Sequence, residues 1–451
     1  MHVQSIIPMK HNGSLKVIGL CGLFAISSLA HAMFVRPVAV PVERLEKKAA
    51  AYVEAHPEDA TAWYTLGRIH YLAFVLNSES LNGQEGGDDQ PPTLHNFQNK
   101  DVAAKRQEEA RRRAAKELDL DPQAQGGRGG NVPPEKTQAL FELTRKISQQ
   151  LETEQWKPAG LKPETAARHA SEALRCFDKA MALKKDDGLV LLGKASLLDQ
   201  YMEADRQKFM GAVATKPKPV PKEEIISLYL KAYDASKAQD ETTKHQPLLG
   251  ITTLVSYEAG KAYLKQAPDG GRAKEIAGHL AKLEGLPRGP ITPVLAAPAR
   301  SIQQLFNGQT ATFDISGLGW TQSYPWPGSR AAFVVWDPGC TGTITNGRQL
   351  FGSYTWGVFW QDGYQALSML DDNSDGELAG RELDGIALWT DSNSNGRSDP
   401  GEVTSAADRG VKSIHVRAGL TEGIHPCCPG GLEFYHETSW TTWDWMAEPH
   451  D

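Results

Sequence analysis

The sequence predicts a domain of helical hairpins followed by a smaller domain of mixed α/β type that is rich in strands. Before residue 300 the chain is rich in Ala, Leu, Lys and Glu and has the period of amphipathic helices. Nine of the eleven tryptophans follow residue 300. The length of 451 residues also exceeds that of one ordinary domain, which is roughly 100 to 200 residues. We therefore expect two globular units.

The N-terminus predicts a signal peptide over residues 1–32. Two lysines precede an apolar run, Val17 to Leu29, that ends in the small-x-small pattern Ala30-His31-Ala32. The alternative is an uncleaved anchor, but about 13 apolar residues fall short of the roughly 20 that a spanning helix needs. We expect an exported protein without an integral membrane segment after cleavage, whether periplasmic, on the cell surface or secreted.

Helical hairpins are predicted over residues 33–284. Two passages, AYVEAHPEDATAWYTLGRIHY and ASEALRCFDKAMALKKDDGLVLLGKAS, resemble junctions of tetratricopeptide repeats, with Leu-Gly pairs that end in Gly67 and Gly193. In the second passage Lys184-Lys185 replaces the proline between the helices. In that family the glycine lets two helices approach closely, and the stacked hairpins bind partners. The resemblance therefore implies an unidentified protein partner.

Two Gly- and Pro-rich regions interrupt the predicted helices. Residues 77–135 read as a disordered or loop insertion around a charged helix, DVAAKRQEEARRRAAKEL. Residues 285–300 read as a Pro-rich linker, which places the second domain at 301–451.

An acidic twelve-residue segment, DDNSDGELAGRE, has the oxygen donors of an EF-hand calcium loop. Calcium takes six to eight hard oxygens, which such a loop supplies from positions 1, 3, 5, 7 and 12 around a glycine turn at position 6. Leu378, at position 8, is the residue expected to anchor the loop to the core. The predicted ligands are the side chains of Asp371, Asn373, Asp375 and Glu382 and the backbone carbonyl of Glu377.

A second segment, DSNSNGRSDPGE, repeats the pattern 20 residues later, with Ser398 at position 8 and Asp399 at position 9. Two such matches favour two bound Ca²⁺ ions over turns that only resemble calcium loops. The first loop carries three carboxylates at positions 1, 3, 5 and 12 against two in the second, so we expect it to bind more tightly. The predicted ligands of the second loop are Asp391, Asn393, Asn395, the carbonyl of Arg397, and Glu402.

Only Leu383 to Thr390 separate the two loops, and eight residues cannot form the two helices that a standard EF-hand pair places there. The connection LDGIALWT instead predicts a strand. The arrangement is typical of a structural calcium clamp rather than an opening sensor.

Roughly residues 311 to 418 resemble the calcium-loop domains of large exported bacterial proteins. The matching text is FDISGLGW, VVWDPGCTGTITNGRQLFGS, DGYQALSMLDDNSDGEL and GIALWTDSNSNGRSDPGEV. The resemblance implies calcium binding at both loops and no catalysis. A further loop of that family would fall at Asp337 to Arg348, but Gly339, Thr341 and Arg348 occupy ligand positions, so we expect it to be structural.

Charge and cysteine usage narrow the class of protein. Residues 301–451 carry 19 acidic and 7 basic residues, a net charge of −12, which argues against nucleic acid as a partner and for cations. Outside the cytoplasm Cys340 could pair with Cys427 or Cys428, and the sequence does not choose between these pairings or a role for Cys176.

These observations favour an exported, calcium-binding and non-enzymatic interaction or scaffold protein, with calcium stabilising the C-terminal domain. No HExxH or GxSxG motif is present. The alternative is a carbohydrate-active or other hydrolytic or binding protein with structural calcium, whose site would be built from the C-terminal tryptophans. Packing of those tryptophans in a core is the simpler explanation.

Overall fold

The computed structural model describes residues 39–81, 102–120, 136–147 except 137, 138 and 141, 160–242 except 212, 250–283, and 292–448 except 316, 318–320 and 437. The predicted signal peptide lies outside these residues. All of the described residues belong to one compact unit, Arg36–Asp451. None of its described helices is both long and apolar enough to cross a membrane.

The N-terminal part of the described chain is helical, as predicted. The helix boundaries follow local signals. The first helix ends just before His56-Pro57. Asp59 and Asp187 cap the helices that begin at Ala60 and Gly188, because each accepts hydrogen bonds from two backbone N–H groups. The helices are α1 Val42–Ala55, α2 Ala60–Leu76, α3 Val102–Glu117, α4 Pro163–Leu183, α5 Gly188–Tyr201, α6 Ala204–Met210, α7 Lys222–Thr242, α8 Gly250–Gln266, α9 Ala273–Leu283 and, in the C-terminal part, α10 Gly363–Ser368.

Helix α3 is the charged helix predicted inside the 77–135 insertion. Its polar face carries Glu109, which pairs with Arg112 and Arg113 one turn on. Its opposite face is not solvated, because Ala110 and Ala114 are fully buried against a short segment that includes Leu140. The remainder of the predicted insertion, at 82–101 and 121–135, lies outside the described residues.

Helices α2, α4 and α5 approach one another at the two glycines of the repeat-like passages. A Cβ atom on Gly67 would lie 2.9 Å from the ring of Phe177, and one on Gly193 would lie 2.9 Å from the ring of Tyr64 and 3.1 Å from that of Phe177. Both rings are buried, so they have little room to move. The glycines therefore permit the close helix contact that the repeat resemblance implies.

Because of this contact, Gly→Ala should have opposite effects on the free energy of unfolding at two helical glycines. Gly278 of α9 has open space where a Cβ would be added, so Gly278→Ala should raise the free energy of unfolding by up to about 1 kcal/mol through helix propensity. Gly193→Ala gains the same propensity but collides with Tyr64 and Phe177, so it should lower that free energy by roughly 1–3 kcal/mol. Urea unfolding of the two variants measures the difference; equal stabilisation by both would contradict the packing described here.

The strands of the described chain are β1 Val40–Pro41, β2 Ser80–Leu81, β3 Val294–Ala297, β4 Phe306–Phe313, β5 Gln322–Pro327, β6 Ala332–Trp336, β7 Glu377–Ala379, β8 Ile386–Trp389, β9 Val403–Ser405, β10 Val411–His415, β11 Leu420–Glu422, β12 His425–Phe434 and β13 Ser439–Asp444. The C-terminal part is built on a nine-stranded antiparallel sheet, in the order β7-β10-β12-β13-β3-β6-β8-β9 with β11 beside β12. Two-stranded pairs form between β1 and β2 and between β4 and β5.

Strand β3 lies inside the predicted Pro-rich linker. It is buried throughout and pairs with β13 on one side and β6 on the other, so it is an internal strand of the sheet. The four residues Val-Leu-Ala-Ala give little indication of a strand in the sequence, and the two strands that bury them are distant in the chain. The predicted linker at 285–300 therefore ends in a core strand, and its residues 285–291 lie outside the described residues.

Most of the C-terminal tryptophans that the structure describes lie in the core. Trp326, Trp389 and Phe333 have ring centroids 5.0–5.9 Å apart, and Trp443 is fully buried beside them. On the other face Trp336 and Trp356 meet edge to face at 5.5 Å. Rings buried in this way cannot stack on a sugar, so these residues form a packed core.

The helical part packs directly on the C-terminal part. Buried side chains of α1, α2, α4 and α5 share one hydrophobic core with residues of the sheet and of the loop before α10. Thr65 donates to the carbonyl oxygen of Phe359 at 3.0 Å, and Arg68 donates to that of Gly357 at 3.3 Å. Cys427 and Cys428 are free thiols, so the possible pairing of Cys340 with either of them is not formed in this structure.

Candidate calcium loops

The first predicted loop, Asp371–Glu382, runs from the end of α10 into β7. The Asp371 carboxylate is buried and accepts hydrogen bonds from the backbone N–H groups of Ser374 and Gly376, at 2.7 and 3.1 Å. The side chains at positions 3 and 5 turn inward in the same way, because Asn373 accepts from the N–H of Asp375 and Asp375 accepts from that of Glu377, each at 2.9 Å. The side chains at positions 1, 3 and 5 thus all accept backbone hydrogen bonds from within the loop.

Glu382 closes the first loop. One of its carboxylate oxygens accepts from the N–H groups of Asp372 and Asn373, at 2.8 and 3.2 Å, and the other accepts from that of Ala379 at 3.1 Å. Both oxygens are therefore held at the mouth of the loop, 9% exposed. A position-12 glutamate in this orientation can bind Ca²⁺ through both oxygens.

The second predicted loop, Asp391–Glu402, follows β8 and has similar hydrogen bonds. Asp391 accepts from the N–H groups of Asn395 and Gly396, at 3.1 and 2.7 Å, and Glu402 accepts from those of Ser392 and Asp399, at 2.7 and 3.0 Å. The indole of Trp326 adds a further donor to Asp391 at 2.7 Å. The core tryptophan thus helps to hold the first residue of this loop.

Asp399 is a candidate ligand that the predicted ligand set did not contain. Its Oδ2 atom accepts from the side-chain amides of Asn393 and Asn395, at 2.8 and 2.9 Å, which places positions 3, 5 and 9 around one point. The signal in the sequence was the acidic residue at position 9, a position that often binds calcium through a water molecule. With Asp399 each loop carries three carboxylates among positions 1, 3, 5, 9 and 12.

Electrostatics favour a cation at these loops. Burial raises the pKa of the Asp391 carboxyl, and the hydrogen bonds from Gly396 and Asn395 act in the opposite direction. Burial of an anionic oxygen is costly unless positive charge compensates it. A hard divalent cation is the ligand that carboxylate, amide and carbonyl oxygens at this spacing accommodate best.

The backbone has the same conformation in both loops and in the degenerate segment upstream. Position 4 has a positive φ in each, at Ser374 (64°), Ser394 (57°) and Cys340 (49°). The position-6 glycines also have positive φ, and Asp337 accepts from the N–H of Gly342 at 2.9 Å, as the first residue of each calcium loop does from its own glycine. Asp337 to Arg348 therefore keeps the turn, while Gly339 offers no side-chain oxygen at position 3.

The loops are braced by different partners rather than by each other. Leu378, at position 8 of the first loop, is fully buried and pairs with Ile414 of β10. Ser398, at position 8 of the second loop, accepts through its hydroxyl from the N–H of Ile344 at 2.8 Å. Ile344 is position 8 of the degenerate segment, so that segment supports the second loop.

Helix α1 contacts the first loop directly. Arg44 forms a two-pronged ion pair with Asp372, at 2.8 and 2.9 Å, and donates to the carbonyl oxygen of Leu370 at 2.7 Å. One turn further along α1, Lys48 donates to the hydroxyl of Ser374 at 2.8 Å. The mouth of the first loop is thus part of the contact between the helical and C-terminal parts.

Two comparisons with known proteins give matches, one of them to the C-terminal part. The model of the SPM domain matches residues 299–428, which include both loops and the degenerate segment. A stretch of 111 residues, 24% of this chain, is 31% identical to the iron-regulated protein FrpA of Neisseria meningitidis serogroup C. That stretch spans 10% of the length of FrpA, so the chain covers only a small part of this relative.

Proposed function

We propose that this chain is an exported, non-enzymatic protein that binds two calcium ions and uses them to stabilise its C-terminal part. The observation that carries the proposal is the repeated hydrogen-bond pattern of Asp371–Glu382 and Asp391–Glu402, which presents the same donor positions twice. The N-terminal sequence supports export, and millimolar calcium outside cells suits loops with expected dissociation constants of roughly 10⁻⁵ to 10⁻³ M.

The contacts of α1 suggest what calcium stabilises. The side chain of Asp372 pairs with Arg44 of α1, and the backbone N–H of Asp372 donates to Glu382. An ion that orders the first loop therefore also orders the surface on which α1 packs. Ion binding to the folded chain raises its stability by mass action. Calcium would in this way hold the helical part, and any protein partner bound by its tetratricopeptide-like hairpins, on the C-terminal part.

Terbium luminescence and calorimetry test the proposal. The whole chain is the right sample, because the two parts share a core. We expect calcium to displace terbium from two sites, with tryptophan-sensitised emission from the second loop because Trp326 contacts Asp391. Absence of calcium binding at millimolar concentration would overturn the proposal.

A carbohydrate-binding or hydrolytic protein with structural calcium is the competing function. It would need exposed aromatic rings or convergent carboxylates in an open site, whereas Trp326, Trp336, Trp389 and Trp443 are at most 2% exposed. The core position of these rings favours the non-enzymatic proposal.

A further inference from the structure

Two buried histidines meet between the N-terminal helices. His70 of α2 and His169 of α4 are 2% and 0% exposed, and their Nδ1 atoms are 2.9 Å apart. Glu46 of α1 completes the group, since one ligand atom from each of the three side chains lies within 4.8 Å of the others. Neither the repeat resemblance nor the calcium loops requires polar groups here.

The hydrogen bonds define the protonation of the two rings. Arg168 can only donate, so its 3.1 Å contact with Nε2 of His169 leaves that nitrogen without a proton. Neutral His169 then carries its proton on Nδ1 and donates it to Nδ1 of His70, whose own proton is on Nε2, 4.0 Å from Glu46. Arg168 also pairs with Glu46 at 2.9 Å, which closes a ring of four side chains.

We propose that Glu46, His70 and His169 form a binding site for a divalent transition metal such as Zn²⁺. Two imidazoles and one carboxylate are a ligand set that zinc uses in proteins, with the fourth position open to water. Nitrogen donors select such a metal over Ca²⁺, which prefers oxygen. The site is independent of the calcium proposal.

The two imidazoles already lie close to the spacing that a metal site needs. Two nitrogens bound to one tetrahedral zinc are about 3.3 Å apart, so the Nδ1 atoms must separate by only a few tenths of an ångström. As the metal binds, His169 changes tautomer: its Nδ1 gives up a proton and its Nε2 takes one up, so the ring stays neutral and no net proton is released. Glu79, whose Oε2 lies 4.0 Å from that Nε2, is placed to accept a hydrogen bond from it, as a carboxylate behind a metal-bound histidine does.

Charged groups near the two imidazole rings affect metal binding in opposite directions. Burial, followed by the charge of Arg168, lowers the pKa of His70 to about 4 and that of His169 to about 3, so neither ring needs to lose a charge before it binds metal. Arg175 adds positive charge near His70, and Glu172 adds negative charge. Arg168 is the main competitor, because it occupies His169 Nε2.

Cobalt and zinc titrations of the whole chain in excess calcium test the site. Cobalt should give the visible absorption bands of a tetrahedral ion, and zinc should displace it. His70→Asn and His169→Asn each keep a hydrogen-bonding group near the Nδ1 position and should weaken zinc binding at least about tenfold. The matched control is His56→Asn, an exposed histidine at the end of α1, which should bind as the unmodified chain does.

A gain-of-binding variant separates metal binding from folding. Arg168→Gln removes the charge that occupies His169 and should tighten zinc binding, a result that misfolding cannot produce. Loss of zinc binding in this variant, zinc affinity that is unchanged in His70→Asn and His169→Asn, or no tetrahedral cobalt spectrum would each overturn the proposal.

Discussion

Glu382→Gln is expected to abolish the part of the calcium-dependent stability that the first loop provides. Glu382 closes the loop with both carboxylate oxygens, and Gln keeps the size of the side chain but offers one neutral oxygen. A site that binds only the folded chain contributes about 2.7 kcal/mol when calcium is 100-fold above its dissociation constant. The variant should lose most of that increment, measured as the difference between urea unfolding with calcium and with a chelator.

The difference between the free energies of unfolding with calcium and with a chelator, called the increment here, separates calcium binding from any effect on the calcium-free fold. Glu402→Gln should also remove the share of the increment that its own loop provides, because its carboxylate closes the second loop in a similar way. The relative size of the two losses tests the prediction that the first loop binds more tightly. Glu433→Gln, at a partly exposed glutamate of β12 that pairs with Lys412, is the matched control and should keep the full increment. An unchanged increment in both loop variants would refute calcium stabilisation.

Trp389→Ala is expected to lower the free energy of unfolding by roughly 3–5 kcal/mol, because the substitution leaves a large cavity in a packed core. Trp389 is fully buried at the end of β8 and contacts Phe313 at 5.5 Å and Phe333 at 5.2 Å between ring centroids. The next residues begin the second calcium loop, so calcium affinity at that loop should fall as well. Thermal and urea unfolding measure the first effect and calorimetry the second.

Trp440→Ala provides the comparison for this core variant. Trp440 is only partly buried on β13, where it meets Phe434 at 5.1 Å, and its truncation should cost clearly less. If the tryptophans instead formed a binding surface, Trp389→Ala would leave stability nearly unchanged and reduce ligand binding. That outcome would restore the carbohydrate-binding alternative.

The sequence determined the local features of this protein. A calcium loop is encoded within twelve consecutive residues, so the turn glycines and the short connection that forms β8 were readable from spacing, and the calcium ligands stay a prediction. The helix boundaries at Asp59 and Asp187 were equally local, because capping depends on the next three residues.

Only the tertiary structure decided which distant segments meet. The pairing of β3 between β6 and β13, the brace between Ser398 and Ile344, and the ion pair of Arg44 with Asp372 join positions up to 328 residues apart. Such contacts depend on strand register and on the approach of packed helices, which no local period specifies. The meeting of His70 and His169 belongs to the same class: each lies on an ordinary helix, and the packing of α2 against α4 alone places their imidazoles 2.9 Å apart.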